Sequence, residues 1–154
     1  MSKREAVIVG VADVPLKDGK VLAPMSVLQM QALAARDALA DARIPMREVD
    51  GLLTAGLWGN PGPGLLPTVT LSEYLGLVPR FVDSTNIGGS AFEAHVAHAS
   101  MAIEAGRCEV ALIDPGGDRH EFDGVDAQSL QVFDDDGFGQ RGDGAAPFWR
   151  DPRV

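Results

Sequence analysis

The stretch Phe81-Val82-Asp83-Ser84-Thr85-Asn86-Ile87-Gly88-Gly89-Ser90-Ala91-Phe92-Glu93-Ala94 reads as a strand, a tight turn of small polar residues, and the start of a helix. A junction of this kind exposes backbone N–H groups at the helix start. They can meet an anion or a developing oxyanion, and a nucleophile placed there gains from the helix dipole. Gly88 and Gly89 let backbone approach a ligand or a neighbouring helix closely. A plain capped helix after a strand satisfies the same pattern, so the pattern alone specifies a local shape and not an activity.

On the amino-terminal side, the apolar run AVIVGVA (6–12) has the composition of a strand buried on both faces. Residues 13–25 carry Pro15, Gly19 and Pro24 and read as a loop. Ser26 is then an N-cap for a helix from Val27 to Ala42, with apolar residues at helical spacing, and Pro45 prevents its continuation. VDGLLTAG (49–56) reads as a second strand, and LWGNPGPGLLP (57–67) as a loop with Trp58 as a packing anchor. TLSEYLGL (70–77) fits a short helix ended near Gly76. A third strand over 80–85, a helix over 89–106 and a fourth strand over 108–113 complete the pattern. Strands alternating with helices make residues 1–113 an α/β unit whose sheet is at least partly parallel. After Ile113 the pattern changes to an acidic, glycine-rich stretch, 114–154. There only residues 127–133 have enough apolar content for an element, and the whole tail, 114–154, is expected to be irregular.

Six blocks recur in order: IVGVADVPL (8–16), LQMQALAARDALADA (28–42), VDGLLTAG (49–56), SEYLGLVPRFVDSTN (72–86), GGSAFEAHVAHASMAIEAG (88–106) and RCEVALI (107–113). Together they resemble the amino-terminal half of the thiolase superfamily, in its sterol-carrier or non-specific lipid-transfer branch of acetyl-CoA acetyltransferase-like proteins. The resemblance implies one half of a thiolase-like fold, a βαβαβ-type mixed sheet with helices on both faces. It also implies an acyl-CoA thioester as substrate, no covalently bound cofactor, a homodimer, and in some relatives a small OB-fold/zinc-ribbon partner protein. In that family the strand-to-helix turn carries the cysteine that takes the acyl group. Matching the family's glycine to Gly89 puts Asn86 at the cysteine position. An amide has no thiolate and forms no acyl-enzyme. Gly88, Gly89 and Ser90 would then line the thioester site beside Asn86. The family's other catalytic motifs belong to its second half, and none of them occurs in this sequence. The expectation is therefore a thiolase-like protein without thiolytic activity or with a different thioester C–C cleavage. The alternatives are a non-catalytic acyl-CoA-binding or interaction module for a complete thiolase-like protein, and a truncated fragment.

The whole chain bounds these readings. Its 154 residues suit one core, and its net charge of −9 with scattered Lys and Arg argues against a nucleic-acid partner. No run approaches the ~20 apolar residues of a membrane span, and no secretory leader is evident, so a cytoplasmic protein is expected. Cys108 is the single cysteine, which excludes an internal disulfide, and its place at the opening of an apolar strand suits a buried small hydrophobe. His95 and His98 share a helix face but lack a third ligand in register, so core or interface roles are expected of them. The carboxylates of 134–143 lack the alternation of a calcium loop, and Asp118, His120, Glu121 and Asp123 suit a polar loop. No metal is expected.

Overall fold

The computed structural model describes residues 4–18, 20–23, 25–55, 66–114 and 130–134. Its strands are β1 (Val7–Ala12), β2 (Leu16–Lys17), β3 (Lys20–Val21), β4 (Gly51–Leu53), β5 (Phe81–Asp83), β6 (Ala111–Ile113) and β7 (Leu130–Asp134); its α-helices are α1 (Val27–Ala42), α2 (Pro67–Leu75) and α3 (Ala91–Glu104). The main sheet has the order β1-β7-β6-β4-β5, while β2 and β3 form a separate hairpin. β4 runs parallel to both β5 and β6. β7 lies antiparallel to both β6 and β1, so the sheet is mixed.

Alternation along the short strands sends neighbouring side chains to opposite faces. Leu52 and Leu112 join Ala35, Ala38 and Leu39 of α1 and Leu71 of α2 in one core. Leu53, Ala111 and Ile113 join Ala99, Ala102 and Ile103 of α3 in the other. Helices therefore cover both faces, and all five of Leu52, Leu53, Leu71, Ile103 and Leu112 are fully buried. α1 is started by a capping box: the Ser26 hydroxyl accepts from Gln29 N at 3.3 Å, and Ser26 N donates to Gln29 Oε1 at 2.8 Å. It lies close on β1 because Gly10 has no side chain. A Cβ there would stand 2.8 Å from that of Ala42 and clash with the Ala38 carbonyl.

One carboxylate aligns the amino ends of the three parallel strands. Asp50 Oδ1 accepts from Glu109 N (2.8 Å) and Val110 N (3.0 Å) ahead of β6. Its Oδ2 accepts from Arg80 Nη1 at 3.2 Å ahead of β5. The Asp50 carbonyl also accepts from Arg80 N and Phe81 N.

Several expectations are corrected in detail. Among the described strands β1 is an edge strand: Val9 and Ala12 pack against one core and Ile8 against the other, but most of its residues are only part-buried and Val11 is 39% exposed, so it is not fully buried on both faces. The segment expected to be loop over 13–25 contains the β2–β3 hairpin. α2 begins at Pro67, three residues before the expected start, because proline suits the first helical turn, where its missing N–H would find no partner. It ends as expected at Gly76, in the left-handed region at φ +70. The stretch after Ile113 is not irregular throughout: Leu130–Asp134 is β7, with two strand neighbours. Trp58, the carboxylate groups at 118–123 and the acidic run beyond Asp134 lie outside the described residues.

Candidate functional site

The parallel strands β4, β5 and β6 end on one edge of the sheet, the edge where open α/β sheets place their ligands. Thr54 and Ala55 follow β4, Ser84 to Ser90 follow β5, and Asp114 follows β6. Backbone bonds tie these ends together, with Thr54 N donating to the Asp83 carbonyl (3.1 Å) and Asp114 N to that of Leu53 (2.8 Å).

Asn86 sits in the turn with its side chain committed on both sides. Its Nδ2 donates to the Ala55 carbonyl at 3.0 Å, and its Oδ1 accepts from Gly88 N at 3.2 Å. The amide therefore clamps the β5–α3 turn onto the end of β4. Gly88 takes φ +85, a conformation that side chains rarely adopt, and its carbonyl accepts from Ala91 N as α3 begins. A Cβ on Gly88 or Gly89 would meet nothing within 4 Å among the described residues. Ser90 occupies the N-cap position, is exposed, and makes no side-chain capping bond. Thus the structure brings Asn86, Gly88, Gly89 and Ser90 together at one helix start. Glu93 in the first turn of α3 puts a carboxylate at the positive end of the helix.

The titratable groups near this turn were not legible as a unit. Asp83 Oδ1 accepts from Thr85 N (2.8 Å) and Thr85 Oγ1 (2.7 Å), while Oδ2 pairs with His98 Nδ1. Burial alone would raise the Asp83 pKa, but the bonds from His98 and Thr85 outweigh it and hold the carboxyl below its ordinary value. His95, one turn earlier on α3, is fully buried and packs edge-on against Phe92 at a centroid distance of 6.5 Å. Neither of its ring nitrogens has a hydrogen-bond partner among the described residues. Burial pushes its pKa down, against the pull of the Asp83 charge. Among the described residues no group of three His, Cys, Asp or Glu could hold a metal ion.

Other buried polar groups stand near the same edge. Gln31 Nε2 of α1 donates to Asp114 Oδ1 at 3.2 Å, and the Thr54 hydroxyl is buried without a partner among the described residues. On the outer side of β5 an open groove of about 440 Å³ is lined by Phe81, Val82, Asp83, His98, Met101 and Arg107, among others. Cys108 lies at the opposite, amino end of the strands, fully buried. Burial first, and the Asp50 charge second, push its thiol up to about 11, so it is no substitute nucleophile.

No family model matches the chain, and no curated protein matches it. Solved structures do. The Ltp2-ChsH2(DUF35) aldolase is 25% identical with a TM-score of 0.58, over 71% of this chain and 26% of that one. The priming β-ketosynthase of the R1128 polyketide pathway gives a TM-score of 0.68 at 16% identity, over 89% of this chain and 52% of that one. A Xanthomonas campestris OleA variant with bound lauric acid and lauroyl-CoA gives 0.64 at 15% identity, over 87% and 57%. This chain spans between about a quarter and three fifths of the length of these neighbours. The sheet order, the helices on both faces and these likenesses agree: the described residues of this chain form part of a thiolase-like fold.

Proposed function

We propose that this chain is a thiolase-like protein that holds an acyl-CoA thioester at the turn formed by Asn86, Gly88, Gly89 and Ser90, without forming an acyl-enzyme there. The observation that carries this reading is the Asn86 side chain, which occupies the strand-to-helix turn and is bonded to Ala55 and Gly88. It supplies an amide where covalent acyl transfer needs a thiolate. The room in front of Gly88 and Gly89 among the described residues lets a ligand reach the backbone of the turn. The OleA neighbour with bound lauroyl-CoA supports a coenzyme A thioester as the ligand class.

The described residues present an acyl-CoA-binding half of the fold, and turnover would need groups from another segment or another protein. A partner is therefore part of this reading: a second copy, or a small protein of the kind the aldolase neighbour's ChsH2(DUF35) component represents. A purely non-catalytic binding role is the second reading, favoured by the Asn86 amide having both its polar atoms bonded within the chain, to Ala55 and Gly88.

Calorimetric titration with acetyl-CoA, paired with intact-mass analysis of the incubated protein, tests the proposal. Binding without an acetyl adduct is expected, with Asn86→Ala weakening it by about tenfold through loss of one or two hydrogen bonds. An acetylated protein, or affinity unchanged in Asn86→Ala, would overturn it.

A further inference from the structure

The strand end before the turn and the turn itself are held by different means. β5 is fixed by backbone bonds to β4, through Phe81 N to Asp50 O and Thr54 N to Asp83 O. α3 is seated on the sheet by Ala99, Ala102 and Ile103, all at most 5% exposed. Neither contact reaches residues 84–90. Those residues are tied down by individual hydrogen bonds, three of them local (Thr85 to Asp83, Gly88 to Asn86, Ala91 to Gly88) and one, Asn86 to Ala55, reaching across to the end of β4.

Thr85 is the first of these ties, and it donates twice to one carboxylate oxygen. The other oxygen of that carboxylate pairs with the His98 imidazole, two helical turns into α3. His98 therefore fixes the rotation of the Asp83 carboxylate, and the carboxylate fixes Thr85. Asn86 follows Thr85 directly, so the direction in which the chain leaves Thr85 determines whether the Asn86 amide meets Ala55 and Gly88.

We infer that Asp83, Thr85 and His98 form a positioning network that sets the geometry of the Asn86–Gly89 turn, with His98 acting through Asp83 and Asp83 through Thr85. None of the three is a ligand contact in this scheme; they determine how the backbone around Gly88 and Gly89 is presented. The inference rests on the reading that this turn is the ligand site, and a ligand-free measurement keeps the two separable.

The variants are Thr85→Val, which keeps the shape and removes the hydroxyl, Thr85→Ser, which restores it, and His98→Leu. In the ligand-free protein the amide resonances of Gly88, Gly89 and Ala91 should move in Thr85→Val and His98→Leu. They should stay near their wild-type positions in Thr85→Ser. With coenzyme A as probe, affinity should fall about tenfold in the first two variants and remain within about twofold in Thr85→Ser. A role confined to general stability would lower the melting temperature without this rescue pattern. Unmoved Gly88 and Gly89 resonances in a folded Thr85→Val protein would overturn the inference, as would equal shifts in Thr85→Ser and Thr85→Val. The predicted shifts in Thr85→Val and His98→Leu, found together with no coenzyme A binding by the wild type, would sustain the network and sink the acyl-CoA reading instead.

Discussion

Burial of His95 gives its imidazole a cost of protonation that the unfolded chain does not have. The unfolded state then binds the extra proton more readily, so stability is fullest above the ordinary histidine value of about 6.5 and falls as pH drops below it, levelling once the lowered folded value is passed. Urea unfolding at about pH 7.5 and about pH 5.5 should show this loss in the wild type and a smaller one in His95→Leu. Asp83 works in a lower range. Its folded pKa is depressed, so its contribution is complete above about pH 4 and disappears as pH falls through the folded value; Asp83→Asn should flatten that part of the acid-unfolding curve. At the other end of the strands, Asp50→Ala would leave the Glu109 and Val110 amides without their acceptor and should cost about 2 kcal/mol in denaturant melts. The strand–turn–helix shape around Asn86 was legible in the sequence, because small polar residues and two glycines separate an apolar strand from an alanine-rich helix. The Asp83–His98 pair was not, since a strand end and a helix face fifteen positions apart meet only through the fold.

Elements whose signals are local came through best. The Ser26 cap and the Val27–Ala42 helix match expectation, because a capping box and a helical apolar stripe are both written within a few residues. Replacing Ser26 with alanine should cost about 1 kcal/mol. Strands were overdrawn: VDGLLTAG was read across 49–56, yet the ladder covers Gly51–Leu53, since pairing ends where the neighbouring strands end. The contact of β1 with α1 shows the same dependence on neighbours. Gly10 looks like any glycine in an apolar run, but it lies under Ala38 and Ala42, so Gly10→Ala should destabilise by about 1–3 kcal/mol through overpacking. A melting temperature unchanged in Gly10→Ala would show that α1 can shift outward freely.

At the scale of the molecule, both edges of the main sheet matter. β5 closes one of them, with Val82 52% exposed at its centre and its N–H and C=O turned away from β4 by strand alternation. Such an edge is a template for another strand, and a second copy related by a two-fold axis at Val82 would exchange both bonds. Val82→Lys should accordingly shift light-scattering mass toward the monomer, and a wild type already monomeric at high concentration would count against this edge as the contact. An α/β unit with a partly parallel sheet was legible from the alternation of strands and helices, while the mixed sheet with helices on both faces was what the family resemblance implied. What escaped was β7, because one short apolar segment amid acidic and glycine-rich sequence carries little signal by itself. Its location has a consequence for the order of assembly. Among the described residues β1, made first, pairs with no strand but β7, made last, and β7 also separates β1 from β6. A nascent chain halted short of Leu130 would hold β1 against α1 with no strand beside it, and the sheet would join only after nearly the whole described sequence had left the ribosome. Closure across so long a separation carries a loop-closure cost that slows this step relative to the local pairing of β2 with β3.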